Sequence, residues 1–107
     1  MDKREAVRVP VQVRARCRAQ GIVIDGLVED VSRSGLFMRA PAEQMRAGSS
    51  AELDLEIPGE ETLHLTVEIV RVEDEPRAGL ALKFAGELER ARKPLANFIM
   101  KQYHDAR

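Results

Sequence analysis

Cysteine is nearly absent from this chain of 107 residues: Cys17 stands alone, so no disulfide can form within one molecule and no zinc site can be built from thiolates. That usage fits a reducing compartment, and a cytoplasmic protein is expected. Histidine is scarce as well. His64 and His104 lie far apart in the sequence, and neither belongs to a paired-ligand spacing, which argues against a bound metal and leaves both as solvent-facing side chains. With no Trp, one Tyr and three Phe, the aromatic platforms on which single-stranded nucleic acid stacks are missing, and no nucleic acid polymer is expected as a partner. Apolar runs are short and broken by charge. Neither a membrane span nor the apolar centre of a signal peptide can be drawn, so no membrane insertion is expected. Nothing in the chain pairs a nucleophile with a base or sets two acids across a cleft; an enzyme, and with it a catalytic cofactor, is the least expected class.

What the chain does contain describes one globular domain. It is 44% hydrophobic and 33% charged with a formal net charge of -1, which suits an ordinary folded unit with a single core. The charge is unevenly placed. From Lys3 to Arg18 there are six cations, Lys3, Arg4, Arg8, Arg14, Arg16 and Arg18, against Glu5 alone, whereas the stretch from Glu52 to Glu75 is mostly acidic. An anion is expected near the N-terminal end.

Hydrophobic periodicity divides the chain into strands and one helix. Val7, Val9, Val11, Val13, Ala15 and Cys17 alternate with polar residues, the mark of a half-buried strand in which Cys17 is a packed thiol and Pro10 suits an edge or the start of pairing. A second strand spans Ile22 to Val31, interrupted by a turn or bulge at Asp25-Gly26. A polar turn from Asp30 to Gly35 leads into a third strand, Gly35 to Arg39, and Ala42 to Ser50 reads as a loop holding at most one helical turn. Ala51, Leu53, Leu55 and Ile57 predict a fourth strand, ended by Pro58-Gly59. Leu63, Leu65, Val67 and Ile69 predict a fifth, which Val70 and Val72 continue with the phase changed, as a bulge would cause. Leu80, Leu82 and Phe84 predict a sixth. Beyond Gly86 the period becomes helical: Leu88, Ala91, Leu95, Phe98, Ile99 and Tyr103 share one face, and Pro94 divides a short turn, Glu87 to Arg92, from a main helix, Pro94 to Tyr103. The expectation is an all-β fold with a C-terminal helix, a six-stranded antiparallel β-barrel of split-barrel type. Residues 1–107 form a single domain: a flexible ligand-binding leader over 1–6, the barrel over 7–85 and the helix over 87–105.

Two short segments carry the chemistry. In Arg4-Glu5-Ala6-Val7-Arg8 two guanidinium forks, which hold their charge at any relevant pH, stand on one side of an extended chain about 13 Å apart by the usual rise per residue. That span is on the scale of a dinucleotide. In Asp30-Val31-Ser32-Arg33-Ser34-Gly35, Asp30 can accept from the N1 and N2 donors of guanine and Ser32 can donate to a phosphate oxygen. Gly35 permits either a close backbone approach or a positive φ.

Joined in this order, the segments resemble the motifs of the PilZ domain family: RxxxR is filled by Arg4 and Arg8, and [DN]xSxxG by Asp30, Ser32 and Gly35. Leu36-Phe37-Met38 and the run Arg77-Ala78-Gly79-Leu80-Ala81-Leu82-Lys83-Phe84 are similar to the third and last strands of that family, so the resemblance covers nearly the whole chain. It implies a six-stranded barrel with a C-terminal helix that binds the bacterial second messenger cyclic di-GMP. Arg4 and Arg8 would clamp phosphates and stack on guanine, Asp30 would hold a guanine edge or orient an arginine, and Ser32 and Gly35 would line the phosphate path. Lys3, just before the first motif, is the position that would help accommodate an intercalated pair of ligands. The implied output is an effector protein, not identified by the sequence, that senses the ordering of the N-terminal segment. The alternative is a nucleotide-independent interaction module on the same fold, whose mark would be a lost motif residue. The number of bound ligands and the oligomeric state are left open.

Overall fold

The structure, a computed structural model, describes residues 8–85 and 89–105, and of 89–92 and 105 the backbone alone. Six strands, β1 (Val9–Ala19), β2 (Ile22–Val31), β3 (Gly35–Arg39), β4 (Ser50–Leu55), β5 (Leu63–Glu73) and β6 (Gly79–Phe84), precede one helix, α1 (Glu89–Asp105). Every pairing is antiparallel, and the order β1-β2-β3-β6-β5-β4 closes into a barrel. Closure leaves no free sheet edge in the ring.

Alternation decides which side chains fill the interior. Val11, Val13, Ala15 and Cys17 from β1 meet Leu53 and Leu55 from β4, Leu65, Val67 and Ile69 from β5, and Leu80 and Leu82 from β6 in one core cluster. α1 adds Leu95 and Phe98 to that cluster, with Ile99 packed beside them. Tyr103, expected on the same face, is 41% exposed. Cys17 is fully buried, and burial pushes its thiol up to about 11, so it belongs to the core and has no reactive character.

Two local expectations change. β2 runs unbroken through Asp25 and Gly26, which pair with Arg16 and Ala15. Gly26 serves close approach: a Cβ there would lie 2.2 Å from the Arg39 carbonyl oxygen and 2.8 Å from the Ala40 Cβ. α1 is likewise one helix with Pro94 inside it. Pro94 is near enough to the N-terminal end that its missing N–H costs a single early hydrogen bond, while Leu95 and Phe98 anchor the following turn to the core.

The bulges fall elsewhere and matter more. The β5 bulge read from the sequence is present, with the register shifting between Ile69 and Arg71. A second lies in β2 between Val28 and Asp30. Each inserts an extra residue, so two successive side chains leave the core: Val70 and Arg71 in β5, Glu29 and Asp30 in β2.

Candidate functional site

The β1–β2 register also shifts, between Pro10 and Val13, but it is the β2 and β5 bulges that flank the paired strands β3 and β6 and load the outer wall of the barrel there. Register aligns Asp30 with Phe37, Phe37 with Ala81, and Ala81 with Arg71, giving one row of outward residues across β2, β3, β6 and β5. Leu36 and Met38 join the core cluster while Phe37, between them, does not. Phe37 is nevertheless only 2% exposed: Gly79 packs closely against its ring, and the guanidinium of Arg77, from the β5–β6 connection, lies over it at 3.9 Å from the ring centre.

Arg8 stands immediately before β1 and reaches Asp30 at the end of β2. Its Nε donates to Asp30 Oδ1 at 2.9 Å and its Nη2 hydrogen-bonds the same oxygen. The Arg8 side chain keeps 48% exposure and that of Asp30 23%, so the pair is partnered and still open to a ligand. Asp30 Oδ2 has Arg77 Nη2 at 3.9 Å. Glu29 receives Arg39 Nη1 at 2.8 Å and Arg77 Nη2 at 3.2 Å; the Arg39 hydrogen bond first, and then Arg77, hold its carboxyl below the usual range. Arg71 Nε donates to Glu73 Oε2 at 2.6 Å.

A depression of about 440 Å³ opens on this wall, lined by Arg8, Gly35, Phe37, Arg71, Arg77 and Lys83 among others. Four of those six are cations, and Gly35 and the neighbouring Ala81 keep its floor low. Such a floor admits a flat base, and the rim suits phosphate.

The 32–35 turn is built around Ser32, which is fully buried. Its N–H donates to the Gly35 carbonyl at 2.8 Å, its hydroxyl bonds the same carbonyl at 3.3 Å, and it accepts from the Ser34 N–H at 3.2 Å. Ser32 therefore shapes the turn from within, whereas the sequence assigned its hydroxyl to a phosphate oxygen; Ser34 is the serine that lines the depression. Of the two reasons offered for Gly35, close approach is the one observed. A Cβ there would sit 2.0 Å from the Leu82 carbonyl oxygen, a contact that bars any side chain while β3 pairs with β6. Lys3 and Arg4 lie outside the described residues. Arg71, Arg77 and Lys83 were not singled out from the sequence, because their place beside Arg8 follows from strand order and a bulge, neither of which leaves a spacing motif. The two polar residues between Val28 and Val31 were the available local signal for the β2 bulge.

A larger groove of about 1000 Å³ separates α1 from the β4–β5 connection. Glu60 and Glu61 on one side face Lys93 and Lys101 on the other, and no motif residue reaches it. Among the described residues no group of His, Cys, Asp or Glu could hold a metal ion, and no helix is long and apolar enough to cross a membrane.

The PilZ domain family model matches residues 2–101. The PilZ domain with c-di-GMP of YcgR from Escherichia coli is similar in fold at a TM-score of 0.80 and 13% identity, over 99% of this chain and 95% of that one. The Bacillus subtilis inhibitor of motility MotI/DgrA gives 0.80 at 17% identity, over 100% of this chain and 54% of that one. PlzA of Borreliella burgdorferi in complex with c-di-GMP gives 0.69 at 12% identity, over 95% and 41%. No curated protein sequence matches the chain.

Proposed function

Because the chain belongs to the PilZ domain family, we propose that it is a receptor for cyclic di-GMP, held between the arginine-bearing leader and the 30–35 turn and sensed by an effector protein. The observation that carries this reading is the Arg8–Asp30 pair beside a cation-lined depression whose lining includes Gly35 and Ala81. Two of the structural neighbours are described as complexes with c-di-GMP, which supports the choice of ligand. A cyclic dinucleotide brings two phosphates and two purines, and the wall offers a counterpart for each: guanidinium and ammonium groups for charge, and a low floor with an aromatic-backed arginine for the bases.

Arg8 is held by Asp30 through its Nε edge, which aims the guanidinium while leaving much of it open. Arg4 supplies the second fork of the motif from the leader, and Lys3 a further cation beside it. Ser32 and Gly35 contribute indirectly, by setting the turn against β6. The leader orders as its arginines engage phosphate, so part of the binding free energy is spent on that ordering, and the newly ordered surface is what the effector reads.

Titration calorimetry with cyclic di-GMP tests the proposal. Saturable binding that falls roughly 10- to 100-fold in Arg8→Ala, by loss of charge-assisted hydrogen bonds, and falls similarly in Arg4→Ala, is the expected result. No heat or saturation at tens of micromolar protein, or unchanged affinity in both variants, would reject it and leave the nucleotide-independent interaction module.

A further inference from the structure

Arg77 belongs to neither motif, yet its surroundings are those of a stacking platform. Phe37 covers one face of its guanidinium at 3.9 Å. The edges are taken by carboxylates: Nη2 lies 3.2 Å from Glu29 Oε1 and 3.9 Å from Asp30 Oδ2, and Nη1 lies 3.8 Å from Glu73 Oε1. Three acids around the rim and a ring beneath fix the plane of the group. The side chain remains 46% exposed and lines the depression shared with Arg8 and Gly35, so the face turned away from Phe37 is the one left for a ligand there.

Charge and shape then separate two possible uses. A phosphate approaching Arg77 edge-on would have to displace Glu29 or Glu73 and would face their repulsion. A planar base laid on the face turned away from Phe37 displaces nothing. It gains contact with a delocalised cation whose orientation has already been set, so little side-chain entropy is lost on binding. The geometry points to Arg77 as a purine-stacking and specificity-determining residue, forming a Phe37–Arg77–guanine sandwich while Arg8 holds phosphate. This inference rests on the receptor reading above and adds a third ligand-binding element, the β5–β6 connection, to the two sequence motifs.

The test compares wild type, Arg77→Ala, Arg77→Lys and Arg8→Ala by calorimetry with cyclic di-GMP, with thermal melts to verify that each variant folds. Arg77→Ala is expected to weaken binding roughly tenfold, the scale of a stacked cation or base. Arg77→Lys keeps the charge and loses the plane, so it is expected to bind as weakly as Arg77→Ala. Wild-type affinity in Arg77→Lys would overturn stacking in favour of simple charge, and wild-type affinity in Arg77→Ala would overturn any ligand role. If wild type binds and Arg8→Ala binds more weakly, either result removes the Arg77 inference alone; no binding by wild type removes the receptor reading with it.

Discussion

Arginine–aspartate pairs decorate two sides of this barrel, and the contrast between them shows why only one side is proposed as the ligand site. On the outer wall of β1, β2 and β4, Arg16 pairs with Asp25 and Arg18 with Asp54, which also binds His64 Nδ1 at 2.6 Å. Arg16 sits directly across from Asp25 and Asp54 from His64, while Arg18, opposite Glu52, reaches Asp54 on the diagonal, and Glu52 and Glu56 add negative charge. On the wall of β2, β3, β6 and β5, bulges turn out extra residues, Arg8 and Arg77 arrive from outside the strands, and a depression gathers Arg8, Arg71, Arg77 and Lys83. Pairing alone therefore says little about binding. What sets the proposed wall apart is an irregular ladder that concentrates cations over Gly35 and Ala81.

Breaking the ladder of the site wall should have the largest effect. Gly35→Ala places a Cβ against the Leu82 carbonyl, so β3 must move away from β6, a change expected to cost about 3 kcal/mol in a denaturant melt. Stability equal to wild type would mean that the two strands yield easily and that the floor of the site is softer than argued.

The charges separate the walls next. Arg8→Ala should weaken cyclic di-GMP binding while leaving the melting temperature nearly unchanged, because the side chain is half exposed and exposed ion pairs contribute little to folding. Arg18→Ala, with the same chemistry on the other wall, should leave affinity unchanged. Equal losses in both variants would reduce the comparison to overall charge. Raising salt should weaken binding in wild type more than in Arg8→Ala, since the variant has one phosphate contact fewer to screen.

The smallest effect is expected in acid. Asp54 is held below the ordinary carboxylate range first by the Arg18 hydrogen bond, against some opposing desolvation, and then by His64; Glu29 is lowered chiefly by Arg39. A carboxyl whose folded value is depressed contributes stability that is present above its unfolded value, about pH 4, and is lost as pH falls through the folded one. Melts should thus be flat from neutrality to about pH 5 and decline below about pH 4. Asp54→Asn should blunt that decline slightly without affecting ligand binding.

Much of this architecture was legible because alternation is a local signal. The chain from Val9 to Cys17 reads as one buried and one wet face, and the phase change at Val70 announced the β5 bulge. Gly26 misled because glycine serves turns and close approaches alike, and only the position of Arg39 and Ala40 distinguishes them. Pro94 misled because sequence spacing does not reveal the core contacts of Leu95 and Phe98 that hold the helix together past it. At the site, the pairing of Arg8 with Asp30 is consistent with the motif order, but the inward turn of Ser32 is a matter of hydrogen-bond geometry that residue type does not encode. Arg77 was beyond local reading: its partners Glu29, Asp30 and Phe37 come together only when β3 pairs with β6 instead of β4.

Amide chemical-shift mapping of the protein titrated with cyclic di-GMP tests the central claim most directly. The account predicts that the largest shifts fall on Arg8, on Asp30 to Gly35, on Arg71, Arg77 and Ala81 to Lys83, while Arg16 to Arg18 and Glu52 to Asp54 stay in place. Shifts concentrated instead along the groove between α1 and the β4–β5 connection, or no shifts at saturating ligand, would contradict it.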